Sequence, residues 1–177
     1  MAGKIRVWDP IVRVAHWALV ASIAVAWISG DEWQALHETA GYAAVGIVAL
    51  RVVWGFVGSR HARFSDFVRG PSTVLAYLRD LAAGRERRHL GHNPAGGAMI
   101  VALLATILGL GLTGWLGTTD ALWGVDWIEE AHETLADGLV VLVALHIAGV
   151  LLASIREGEN LIRAMVTGRK RLGEPAQ

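Results

Sequence analysis

Four long runs of apolar residues, separated by charged segments, organise this chain. A hydrocarbon core about 30 Å thick takes roughly 20 apolar residues as helix. Four stretches reach that length, at about 11–29, 36–57, 95–116 and 130–155. Helices are the expected form, because lipid offers no partner to backbone N–H and C=O groups. Asn93 followed by Pro94 reads as the N-cap and first helical residue of the third span. Between the second and third spans, PSTVLAYLRDL sets Val74, Leu75, Leu78 and Leu81 at helical spacing, with Arg79 and Asp80 between them. That pattern predicts a short helix on the membrane surface, or one packed on the end of the bundle. The expected fold is all-α, a single domain over 1–177: an integral membrane four-helix bundle with that surface helix between its second and third spans.

Charge gives the bundle a direction. With the N-terminus inside, all 16 Lys and Arg, from Lys4 to Arg171, fall on the inner side. The two outer loops hold Asp31, Glu32, Glu38, Asp120, Asp126, Glu129, Glu130, Glu133 and Asp137, and no base. Positive-inside bias then places both termini in the cytoplasm. Trp33, Trp115, Trp123 and Trp127 would form an outer aromatic belt, with Trp8 and Trp54 near the inner boundary. Composition removes several function classes. A net charge of zero gives no bulk basic signal for nucleic acid. With no cysteine there is no disulfide, Cys-ligated zinc, iron–sulfur cluster or covalent C-x-x-C-H haem site. The opening MAGKIRVWDP lacks the features of a cleaved signal peptide, so the first span is expected to be retained.

Seven histidines carry the candidate chemistry. His61, His89 and His92 fall in the inner connection, where solvated or locally hydrogen-bonded rings are expected. His16, His37, His132 and His146 lie in or at the ends of apolar helices, where an ionisable group is a functional-site hypothesis. One such ring alone is as well explained by an interhelical hydrogen bond; the arrangement of four favours more. His132 and His146 are 14 residues apart on the fourth span. They therefore point within about 40° of each other and are separated by about 21 Å along the axis. The second and fourth spans run the same way and open with similar phrases, LHETAGY and AHETLAD, which puts His37 level with His132. The first span runs oppositely, which puts His16 level with His146. Two imidazoles on facing helices suit axial ligation of a planar cofactor in a bundle core. Zinc or copper would want three or four ligands at one point. Glu38 and Glu133 leave that reading open at the outer pair, and a haem-free anchor or histidine-based metal transporter remains a third reading. Gly41, Gly46, Gly138 and Gly149 lie within two turns of the ligands. Arg51 follows His37 by 14 residues and Arg13 precedes His16 by three, so either could neutralise a propionate at the inner depth or anchor at the headgroups.

The segments VWDPIVRVAHW, RVVWGFVGSRHARF, GHNPAGGAM and AHETLADGLVVLVALHIAGVL resemble the bacterial di-haem cytochrome b family, of the b-561 and nickel–iron hydrogenase b-subunit type, over nearly the whole chain. The resemblance implies bis-histidine ligation of two haems b, with the family's ligands falling on His16, His37, His132 and His146. It implies a cytochrome of a respiratory electron transport chain in the bacterial inner membrane, exchanging electrons with membrane quinone and with a redox partner outside the cytoplasm. The chain ends soon after its fourth span, so it resembles the short stand-alone form. Its acidic outer rim would favour a positively charged partner such as a basic cytochrome c, although acidic loops also satisfy the orientation rule unaided. The alternative is a self-sufficient quinone-linked oxidoreductase acting on a small substrate such as superoxide, with quinone expected around His16, Arg51 and the GHNP turn.

Overall fold

The computed structural model describes residues 3–30 and 32–171, so Asp31 of the acidic outer set lies outside it. In chain order the elements are β1 (Lys4–Arg6), α1 (Pro10–Ser29), α2 (Gln34–Val57), α3 (Phe64–Phe67), α4 (Pro71–Ala82), α5 (Pro94–Gly117), α6 (Asp126–Glu157), α7 (Leu161–Thr167) and β2 (Arg169–Arg171). Among the described residues, α1, α2, α5 and α6 are long and apolar enough to cross a membrane. The expected all-α membrane bundle is therefore the fold observed, and α4 is the expected surface helix. Helix α6 starts one turn before its apolar run. Asp126 and Glu129 occupy that first turn, where negative charge complements the helix N-terminus.

Local chemistry sets the helix ends. Asp9 Oδ1 accepts from the Val12 amide at 2.9 Å ahead of Pro10, and Asn93 Oδ1 accepts from the Gly96 amide at 2.7 Å ahead of Pro94. Asn160 caps α7 in the same way, and that helix stops at Gly168, whose φ of 77° is left-handed. Inside the spans, hydroxyls return to backbone carbonyls one turn back: Ser29 to Val25, Thr113 to Gly109 and Ser154 to Val150. In lipid this removes the cost of an unsatisfied O–H.

The chain forms two compact units. The terminal unit comprises Met1–Val14, Trp54–Ile100 and Leu145–Gln177. In it β1 pairs antiparallel with β2, Lys4 opposite Arg171, and the Val7 amide donates to Gly168 O at 2.9 Å. Val7, Trp8 and Ala164 are buried together beneath that pairing. Both described chain ends thus lie side by side, as an even number of spans requires. Lys170, only 3% exposed, reaches Glu157 at 3.4 Å, while Arg88 meets Glu159 at 2.7 Å and Arg156 meets Glu86 at 3.0 Å. Arg88–Glu159 and Arg156–Glu86 tie the connection after α4 to the end of α6 and the residues just beyond it, while Lys170–Glu157 ties β2 to the end of α6. On α4 itself Val74, Tyr77 and Leu81 are half-buried, while Leu75 and Leu78 stay exposed.

Two sequence expectations change here. Trp8 is 6% exposed, so it is a core residue and not part of a lipid-facing belt. Trp54 instead donates its indole N–H to Asp9 at 3.1 Å. His61 and His89 are locally hydrogen-bonded as expected, to Asp66 and to Arg87 O. His92 is half-buried, its ring 4.5 Å from that of Trp8 and 4.9 Å from that of Phe67.

The hairpin unit comprises Ala15–Val53 and Val101–Ala144 and takes a segment from each of the four spans. A Cβ added at Gly111 would overlap Val45 of α2, and one at Gly109 would press Leu135 of α6 at 3.1 Å. Missing side chains therefore let α5 approach both neighbours closely, the usual device where no hydrophobic effect drives helices together.

Candidate functional site

Within the hairpin unit, His37 near the start of α2 faces His132 of α6 with ring centres 6.0 Å apart and planes at 68°. Each residue is half-buried. His37 Nδ1 lies 2.8 Å from the Ala26 carbonyl of α1. A carbonyl can only accept, so Nδ1 carries the hydrogen and Nε2 the lone pair. His132 Nδ1 lies 2.9 Å from Thr113 Oγ1 of α5. That hydroxyl donates to Gly109 O at 3.0 Å or to Leu110 O at 3.2 Å. With its single hydrogen so placed, its oxygen accepts from His132 Nδ1–H, which leaves the His132 lone pair on Nε2. All four spans contribute: two supply rings and two supply the acceptors that set them.

A ring tied at Nδ1 with Nε2 available is the arrangement found at metal-ligating histidines, where the outer partner fixes tautomer and orientation. Metal–imidazole bonds are about 2 Å long, and the ring centre lies ~1 Å beyond the nitrogen. Two rings sharing one ion from opposite sides then have centres about 6 Å apart, which is the separation seen. A three- or four-ligand metal site has no support: among the described residues no group of three His, Cys, Asp or Glu converges. Glu38 beside the pair instead accepts from Gln34 Nε2 at 2.8 Å.

Space beside the rings is also provided. A Cβ at Gly41 or Gly138 would meet nothing within 4 Å, and both positions are half-buried. The same holds at Gly46 and Gly149, which are exposed and therefore equally suited to lipid contact. Gly114 works differently: a Cβ there would lie 3.2 Å from His132 Cε1.

The remaining expected site residues are placed as follows. His16 is half-buried on α1, its ring edge-on to Trp17 at 5.1 Å. His146 is half-buried on α6, which is continuous from His132 through it. His16 belongs to the hairpin unit and His146 to the terminal unit. Arg51 is half-buried on α2. Arg13 is engaged in the terminal unit, donating from Nη1 to the Val166 carbonyl near the end of α7. Sequence reasoning missed Thr113, Gly114 and the Ala26 carbonyl. A lone Thr in an apolar span signals nothing by itself, and a backbone carbonyl leaves no mark in sequence.

The family model for prokaryotic cytochrome b561 matches residues 7–168. A probable Ni/Fe-hydrogenase B-type cytochrome subunit of Rhodobacter capsulatus is 21% identical over 215 aligned positions, covering 94% of this chain and 81% of its own length. A protein of the same description from Azotobacter vinelandii is 26% identical, covering 92% of this chain and 86% of its own. No solved structure gives a significant match. With the family model covering nearly the whole of it, this multi-pass membrane chain belongs to the prokaryotic cytochrome b561 family, b-type cytochromes that carry electrons on haem b.

Proposed function

We propose that the chain is a di-haem b-type cytochrome that carries electrons between the membrane quinone pool and a periplasmic redox partner. The observation that carries this reading is the His37–His132 pair, 6.0 Å between ring centres with both Nδ1 atoms tied. These two rings would hold the iron of an outer haem b. Helix register supplies the second pair: His146 follows His132 by 14 residues on α6, and His16 lies on the antiparallel α1. They are the ligands of an inner haem, about 21 Å away along the helix axis. The bound haem supplies one-electron redox chemistry at iron. The protein's own residues fix ring tautomers, hold each ligand at a set depth and keep water from the bundle interior.

Arg51 stands in the hairpin unit as its one basic residue in the sequence, and it is the favoured partner for a propionate of the inner haem. Arg13 has the same role open to it through the donors not used at Val166. The charge asymmetry supports a bacterial inner-membrane orientation with both termini cytoplasmic. The acidic loops would then face the periplasm and favour a positively charged partner such as a basic cytochrome c. That the two relatives are described as hydrogenase cytochrome subunits supports a redox partner protein, without favouring a cytochrome c.

A reduced-minus-oxidised spectrum with a pyridine haemochrome assay tests the reading. Two haems b per chain are expected, falling to one in His132→Ala and in His37→Ala. One haem per wild-type chain would sink the two-haem reading. Turnover of quinone with superoxide by the purified protein alone would replace the relay with the self-sufficient oxidoreductase.

A further inference from the structure

His37 and His132 differ in what holds the ring. The acceptor for His37 is the Ala26 carbonyl, backbone that no side-chain change on Ala26 removes. The acceptor for His132 is a side-chain hydroxyl, Thr113 Oγ1, at 2.9 Å. We propose that Thr113 is a positioning residue that fixes the His132 tautomer and lowers the reduction potential of the haem that His132 holds. The proposal rests on the reading of His37 and His132 as axial ligands.

Thr113 Oγ1–H donates back to Gly109 O at 3.0 Å, or to Leu110 O at 3.2 Å. A hydroxyl that donates is polarised into a better acceptor, so the chain His132 Nδ1–H to Thr113 to Gly109 strengthens along its length. Donation from Nδ1 moves electron density toward Nε2 and raises the basicity of that ligand. A more basic axial ligand favours ferric over ferrous iron, which lowers the potential. The tie has a second effect. Without an acceptor at Nδ1 the neutral ring is free to carry its hydrogen on Nε2, the form that cannot ligate. The adjacent Gly114 supplies the room: a Cβ there would sit 3.2 Å from His132 Cε1 and push the ring off this geometry. Consecutive residues of α5 thus provide the bond and the space. The His37 side has no side-chain equivalent, so of the two outer ligands His132 is the one whose electronics a single substitution can change.

A graded series at position 113 tests this in the haem-loaded protein. Thr113→Ser keeps the acceptor and should leave both redox waves of a potentiometric titration in place. Thr113→Val keeps the shape and removes the acceptor; one wave should move to higher potential, with an altered low-spin ferric EPR signal from the same haem. Thr113→Cys, a weaker acceptor, should fall between Ser and Val. The wave that moves must be the one that His132→Ala abolishes. Two haems present and both waves unmoved in Thr113→Val would overturn the inference while leaving the ligand reading intact. Should Thr113→Val fail to assemble, Thr113→Cys decides: a potential equal to that of Thr113→Ser overturns it. If His132→Ala retains both haems, the ligand reading itself is wrong, and the haem count reports this independently of any potential.

Discussion

The two units carry opposite charge and handle it differently. Fifteen of the sixteen Lys and Arg fall in the terminal unit, against seven carboxylates; the hairpin unit has Arg51 and nine carboxylates. The terminal unit pairs its charges across long sequence distances, as in Arg88 with Glu159 and Arg156 with Glu86. In the hairpin unit Glu32 and Asp120 stay exposed in the connections, and Glu129, Glu130, Glu133 and Asp137 stay exposed on the first turns of α6. Its inward polar groups at the ring pair are neutral donors and acceptors: two imidazoles, one hydroxyl and backbone carbonyls. One unit uses charge to hold the chain together. The other leaves most of its carboxylates exposed and uses neutral hydrogen bonds to aim two rings.

The largest effect should come from breaking the charged side of that contrast. Glu159, 8% exposed, accepts from Arg88 Nη2 and from the Arg171 amide of β2. Glu159→Ala leaves a partly buried guanidinium short of its partner and a strand amide without an acceptor. Glu157, 3.8 Å from Arg88 Nε, compensates in part. A loss of about 2–3 kcal/mol is expected, read as a lower unfolding temperature in detergent. The haem spectrum of the folded protein should be unchanged. A spectral change in one haem only, at normal stability, would mean that the terminal unit also shapes the outer site.

Gly114→Val attacks the other side. The added carbons press on the His132 ring, at a cost of about 2 kcal/mol for overpacking. Here the order of events should be reversed: under the proposed ligation, the signal of the haem assigned to His132 is lost before global unfolding. Full haem content at wild-type stability would show that α5 can move away from the ring, and that Gly114 is not what makes the room.

These two regions also differ in how far the sequence discloses them. Hydropathy gives the four spans because twenty apolar residues in a row have one use in a bilayer. The Asn93–Pro94 start of α5 is legible because a cap acts over three residues. The His37–His132 pairing is legible because two spans that run the same way with a fixed rise convert sequence position into depth. What joins residues far apart by chemistry shared with many other positions is not legible. Strand β2 pairs with β1 from the opposite end of the chain, and nothing in RKR announces it. Trp8 reads as a belt residue because belts and cores both use tryptophan; burial by Val7 and Ala164 decides. Thr113 is hidden for the same reason, since most span hydroxyls only return to their own helix.

A smaller effect, dependent on pH, lies at the start of α1. Burial alone would raise the Asp9 pKa, but hydrogen bonds from Ser59, the Val12 amide, Trp54 and the Ile11 amide outweigh it and hold the carboxyl below its ordinary value. A carboxyl depressed on folding stabilises fully above its unfolded pKa, and that contribution is lost as pH falls through the folded value. Asp9→Asn should therefore cost no more than about 1 kcal/mol near neutrality, because solvent screens this partly exposed carboxylate. The gap to wild type should shrink as pH is taken below about 4. Thermal unfolding at pH 7 and at pH 3 reads it. A gap that ignores pH would mean that the donors bind Asp9 for its shape and not its charge.

The smallest expected effect is the sharpest control on the hairpin unit. Thr39 lies two residues from His37 and returns its hydroxyl to Ala35 O at 2.7 Å, the same one-turn bond that Thr113 makes to Gly109. It is exposed, and no histidine donates to it in the hydrogen bonds that set the ring pair. Thr39→Val should change stability by no more than about 0.5 kcal/mol and leave both redox waves in place. Thr113→Val makes the identical chemical change and should move one wave. If Thr39→Val shifted a potential equally, the effect would belong to any lost hydroxyl near the outer pair. The line from His132 Nδ1 to Thr113 would then carry no special weight. If only Thr113→Val acts, the difference isolates that single hydrogen bond from everything else a Thr→Val change does to a span.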